Sequence, residues 1–182
     1  MNHPERLSNS LAGVAVGPVV RAAAWGALGV GLLNAAVSAY WALGGTAGLN
    51  TIGGQIEEMA RAREPSALAV VWAVVAVKIA GAVLGVMLLR AGSLPWRRLL
   101  LVGTGIAACV LVLYGGALVA GQALVVTGVI QASADADWTA LYGHLYLWDP
   151  WFLLWGLLLL IVTIGATRRR TPGDARSRLP RS

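Results

Sequence analysis

The stretch ALAVVWAVVAVKIAGAVLGVMLL, residues 67–89, decides the fold. It is apolar or small throughout except for Lys78. A helix that crosses the hydrocarbon core needs about 20 mainly apolar residues, because the core is roughly 30 Å thick and each residue rises about 1.5 Å. Three further runs meet the same test: Ala22 to Leu43, Leu99 to Gly121 and Pro150 to Thr167. Hydrophobic residues make up 58% of the chain and charged residues 12%, which leaves too little polar surface to cover four such helices in water. The sequence therefore predicts an all-α protein, an integral membrane four-helix bundle over residues 22–167. Residues 1–21 read as a short N-terminal segment and 168–182 as a disordered basic tail. The apolar stretch Leu11 to Val20 meets Pro18 and then Arg21, so the first span reads as an uncleaved anchor rather than a signal peptide.

The charges between spans set the orientation. The N-terminal segment carries Arg6 and Arg21 against Glu5, the second connection carries Arg90, Arg97 and Arg98, and the tail is rich in arginine. The third connection carries Asp135, Asp137 and Asp149 with no Lys or Arg. Lys and Arg mark the cytoplasmic side, so both termini and the turn at Gly92 to Trp96 are expected there, and the two long loops outside. Tyr40, Trp41, Trp72, Trp148, Trp151 and Trp155 fall at the expected outer boundary, where an aromatic ring is half buried and its polar atom is wet. The net charge of +6 is spent on topology and on contact with anionic lipid, which removes the argument for nucleic-acid binding. Cys109 is the single cysteine, so a dithiol redox pair within the chain is excluded, and it reads as a small packing residue. The third run continues apolar as far as Ala132; a projecting end with a turn in Ser133 to Asp137 is expected.

The first outer loop, YWALGGTAGLNTIGG at residues 40–54, holds five glycines between Gly44 and Gly54. Gly44, Gly45, Gly53 and Gly54 permit tight turns and close approach of backbone to a partner. The loop lacks the Lys-Ser/Thr ending of a phosphate loop. Gln55 to Arg63 reads as a short interfacial helix with Glu57 and Arg61 paired at i, i+4, and Ser66 as the cap of the second span. The second outer loop ends WTALYGHLYLWDPWFLLW, residues 138–155. Asp149 before Pro150 reads as the cap of the fourth span. His144 is expected to make a structural hydrogen bond to the glycine loop; the scattered carboxylates give no metal-binding spacing, and neither a metal nor a cofactor is implied.

Lys78 lies about 16 Å along its span, near the midplane, where a lysine must face the bundle interior or a wet cavity. Gly81 and Gly85 share its face and allow close helix approach. No acid lies within the other three runs. Asn34, on a stripe with Gly31, Ser38 and Trp41, and Tyr114 in the third span are the candidate partners. The combination Tyr40-Trp-Ala-Leu-Gly-Gly-Thr-x-Gly-Leu, Gly53-Gly54 and His144-x-Tyr-x-Trp-Asp-Pro-Trp-Phe resembles an actinobacterial family of small four-span membrane proteins catalogued as a domain of unknown function. The resemblance covers most of residues 22–167 and implies a bacterial plasma membrane with no named activity.

Three functions follow as expectations. The first is a cavity under the outer loops that binds a small amphipathic or lipid-like ligand, drawing on Asn34, Trp41, Lys78, Tyr114, His144, Tyr146, Trp148 and Asp149. The second is an accessory subunit docking a membrane partner or a second copy of the chain. The third is an enzyme acting on a lipidic substrate with His144 as general base, assisted by Asp149, Glu57 or Lys78.

Overall fold

The computed structural model describes residues 17–92 and 94–168. The expectations for the earlier N-terminal segment and for the tail beyond Arg168 lie outside the described residues. The chain is helical throughout, with connecting turns and no strand among the described residues. Helix α1 runs Pro18–Ala42, α2 Gly54–Ala62, α3 Pro65–Arg90, α4 Arg97–Val126, α5 Trp138–Gly143 and α6 Asp149–Thr167. A π-helical turn, His144–Trp148, joins α5 to α6, so residues 138–167 form one continuous helical rod. Four helices are long and apolar enough to cross a membrane: α1, α3, α4 and the rod. Their outward faces carry Leu99, Leu113 and Val77, each more than 70% exposed, as a lipid-facing surface requires.

Helix starts follow proline. Pro18 and Pro65 sit in the first turns of α1 and α3, where the missing N–H is of no consequence. Glu64 occupies the position before α3, so Ser66 lies inside the first turn and is not the cap. Helix α4 stops at Val126, earlier than its apolar run suggests. The Thr127 hydroxyl donates back to the Ala123 carbonyl at 2.7 Å, and Gly128 takes φ 74° to turn the chain away. The expected turn follows, with the Ala136 N–H bonded to the Ser133 carbonyl. Asp137 caps α5 by accepting from the Ala140 N–H at 3.0 Å.

In lipid, helices associate through close packing of small residues rather than through hydrophobic exclusion. Two seams do this here. Between α1 and α3, an added Cβ on Gly31 would lie 2.7 Å from the Ala82 Cβ, and one on Gly85 would lie 3.6 Å from the Ala24 Cα. Between α4 and α6, an added Cβ on Gly115 would lie 2.6 Å from the Leu153 nitrogen, and one on Gly156 would lie 2.7 Å from the Val112 nitrogen. Trp155 fills the centre where the seams meet. It packs on Gly31 and Gly81, with Leu159 and Val162 completing the core toward the short-connection end. Trp155 is 3% exposed, so it is a core residue and not the boundary residue its neighbours suggest. Cys109 is exposed on the outside of α4 rather than packed inside. At the short-connection end, Arg97 donates to the Ala166 carbonyl at 2.8 Å and ties α4 to α6.

Candidate functional site

On the loop side of Trp155 the helices part and leave a cavity of about 320 Å³. Val37, Val70, Val71, Val74, Leu68, Ile52 and Ile56 make its walls largely apolar. Its polar groups come from Asn34, Ser38, Lys78, Tyr114, His144 and Asp149. Helix α2 contributes to the lining. Its Ile56, Met59 and Ala60 line the cavity, while Arg61 is turned outward and paired with Glu57 at 2.6 Å.

The antiparallel seam explains where Lys78 reaches. Gly31 faces Ala82, so the Lys78 backbone is level with the turn around Asn34. Its Nζ nevertheless donates to the Ser38 Oγ at 2.7 Å, one turn nearer the loops. The side chain therefore snorkels along the cavity. Ser38 passes the contact on by donating to the Asn34 backbone carbonyl at 3.3 Å. The ammonium also lies 5.6 Å from the centroid of the Phe152 ring, within cation–π range. Ser38 and Phe152 are the partners that sequence reasoning missed. Ser38 was visible on the Asn34 stripe, whereas nothing in the spacing distinguishes Phe152 from any apolar residue. Tyr114 packs edge-on against Phe152 at 5.7 Å and remains half exposed at the rim.

Asp149 corrects the sequence reading. It does not cap a helix that begins there, because the rod continues through it. Pro150 has no N–H to return to the preceding turn, and the helix adjusts by one π-type step, with the Asp149 N–H bonded to the His144 carbonyl. In an α-helix residues five apart point about 140° away from each other; the wider turn brings His144 and Asp149 onto one side. Their side chains meet, with His144 Nδ1 at 3.3 Å from Asp149 Oδ1. Gln122 of α4 donates to the other carboxylate oxygen at 2.9 Å. Asp149 is 1% exposed. The fourth span thus contains an acid after all, on the same cavity as Lys78, but the two groups are not in contact: among the described residues the one Arg–carboxylate pair is Glu57–Arg61, and Asp149 is met by His144 and Gln122.

His144 also reaches the first loop, with Nε2 3.1 Å from the Ile52 carbonyl. Both of its neighbours are acceptors. Trp148 adds a second tie by donating from Nε1 to Thr51 Oγ1 at 3.0 Å, and its ring sits edge-on to Trp41, 5.1 Å away. Trp41 in turn donates to the Ala47 carbonyl at 3.0 Å. The two long loops therefore touch, a point that the sequence leaves open.

The glycines serve this closure and do not line the cavity. Gly143 lies directly against the Thr51 backbone and Gly45 directly under the Tyr40 ring. Gly44 takes φ 102° beside Arg63. Gly53 takes φ 65° with an extended ψ, a backbone only glycine adopts freely, and Gly54 follows at φ 57° to start α2. Tyr146 is 70% exposed and stacks on Tyr142 outside the cavity, so it stands apart from the other candidates. Among the described residues no three His, Cys, Asp or Glu side chains converge on a point where a metal would sit.

Residues 31–159 match a family model described as a protein of unknown function, DUF3995. The chain belongs to this family. The DUF3995 match runs from Gly31 to Leu159, so it takes in both long loops, the π-turn and every cavity residue named above. No curated protein and no solved structure matches the chain.

Proposed function

We propose that this DUF3995 protein is a multi-pass protein of a bacterial plasma membrane that binds a small amphipathic ligand in the cavity beneath its two long loops. The charge distribution supports an orientation with those loops outside and the Arg90, Arg97 and Arg98 connection in the cytoplasm. One observation carries the reading. A cavity within the range of small-molecule sites has apolar walls, a few convergent polar groups and a roof held down by side-chain bonds from the opposite loop. Gly81 and Gly85, which in the accessory-subunit reading would meet a partner, are occupied by Trp155 and Leu159 of the same chain. As a general base His144 would need a free ring nitrogen, and both face acceptors.

Native mass spectrometry with lipid analysis, on gently extracted wild type and on Lys78→Met, tests the proposal. A small amphiphile retained by the wild type and lost from the variant is the expected result. Equal loading of both with bulk lipid alone contradicts it.

A further inference from the structure

Resting on the binding-cavity reading, we infer that the ligand is an alkyl chain with a single carboxylate head, the head held by Lys78 and Asn34 and the chain directed past Val70 and Val74 into the lipid. Lys78 places an ammonium in the cavity, and only the Ser38 hydroxyl and the Phe152 ring meet it. A lysine ammonium has three donors, so two stay unspent. Asn34 is 4% exposed and lines the same cavity, and among the described residues its side-chain amide makes no hydrogen bond to the protein. Ser38 bonds both to Lys78 and to the Asn34 backbone carbonyl, one turn away on the same helix. Lys78 thus keeps unspent donors and Asn34 an amide without a protein partner on the lining of one cavity, and oxygen atoms of a ligand would complete them.

The charge count selects the head. Among the described residues Asp149 is the one carboxylate lining the cavity, and its two oxygens meet Gln122 and His144. It does not touch Lys78, so among the described residues one ammonium faces the cavity without a carboxylate partner. A carboxylate supplies one negative charge. An alkyl phosphate brings close to two at neutral pH and would leave the excess beside Asp149. An alkylamine would place a second cation against Lys78. The rest of the ligand meets valine and isoleucine side chains, with Val70 56% and Val74 42% exposed at the rim. At about 320 Å³ the cavity is at the small end of small-molecule sites, a size that suits a head and part of a medium-length chain.

Isothermal titration of decanoate, decyl phosphate, decanol and decylamine into the full-length protein in phosphatidylcholine nanodiscs, with empty nanodiscs subtracted, tests this. Decanoate is expected to bind about tenfold or more tighter than decanol, the margin of a charge-assisted over a neutral hydrogen bond. Lys78→Arg should keep decanoate binding within a few-fold, and Lys78→Met should reduce it to the decanol level. Decanol binding as tightly as decanoate overturns the carboxylate inference and leaves the amphiphile-binding reading standing. Decyl phosphate binding more tightly than decanoate overturns the single-charge count. Binding of none of the four to the wild type overturns this inference and the reading beneath it. The comparison on wild type is decisive even if a Lys78 variant fails to insert.

Discussion

Replacing Asp149 by serine separates two accounts of the Asp-Pro pair. As the cap of a helix that starts at Pro150, Asp149 would be interchangeable with serine, because the two are about equally good N-caps, and stability would change by no more than a few tenths of a kcal/mol. In the structure the carboxylate bridges Gln122 at 2.9 Å and His144 at 3.3 Å from a site that is 1% exposed. A serine hydroxyl is too short to span both. Each hydrogen bond to a charged group contributes about 1.5–3 kcal/mol, and the longer His144 contact belongs at or below the weak end of that range. The Gln122 amide already has an unpartnered Oε1 and would lose its one bond. The expected loss is about 3 kcal/mol, in line with breaking a buried pair by removing one member. For a chain of this size that lowers the unfolding midpoint by roughly 6–12 °C, at 2–4 °C per kcal/mol. The assay is thermal unfolding of the purified protein in a mild detergent, followed by tryptophan fluorescence. A midpoint within about 1 °C of wild type would return Asp149 to a simple cap and remove the bridge from the account.

Three further outcomes follow from the same geometry. Gly115→Val forces α4 and α6 apart, because even a Cβ would lie 2.6 Å from the Leu153 nitrogen; a loss of about 3 kcal/mol or more is expected from overpacking, while Gly103→Ala, with open space around it, changes stability by less than about 1 kcal/mol in either direction. His144→Ala removes the tie to Ile52 and the contact with Asp149, together worth about 1–2 kcal/mol, so hydrogen exchange of the peptide spanning residues 48–53 should accelerate roughly 5–30-fold, and an unchanged rate would show that His144 does not hold the loop. In a Cys109→Ala background, a cysteine at Ser133 should react with a membrane-impermeant maleimide in intact cells and one at Gly92 only after lysis; the reverse pattern would invert the proposed orientation.

Much of this was legible in the residues, for reasons that differ from place to place. The four spans are visible because an unbroken apolar run of membrane length has few other uses, and residues 67–89 are such a run. Lys78 pointed inward because a midplane ammonium cannot face lipid, and the stripe of Asn34 and Ser38 on α1 marked the side it would meet. A structural hydrogen bond was the expected role of His144, whereas whether the two long loops touch was not legible, because the sequence does not define the path of either loop. The role of Asp149 was hidden because Asp-Pro is also a standard helix-start signal, and nothing local says whether the preceding turns are helical. The π-turn that reorients Asp149 depends on α5 continuing into α6. Trp155 and Trp148 have the same chemistry, so only tertiary packing tells a core tryptophan from one at a loop. Tyr146 and Trp148 both belong to the aromatic cluster, yet one stacks outside and the other roofs the cavity. Gln122 drew no attention because its partner lies 27 residues away across a connection whose path the sequence does not define.

The central claim is that an amphiphile occupies the space between Lys78 and the loop roof. Photo-crosslinking with an alkyl carboxylate bearing a diazirine near its head, followed by peptide mapping, tests it most directly. The account predicts labels concentrated on Val71, Val74 and Phe152, diminished in Lys78→Met. Labels spread over lipid-facing Val77, Leu99 and Leu113 in proportion to their exposure, and unchanged in the variant, would contradict it.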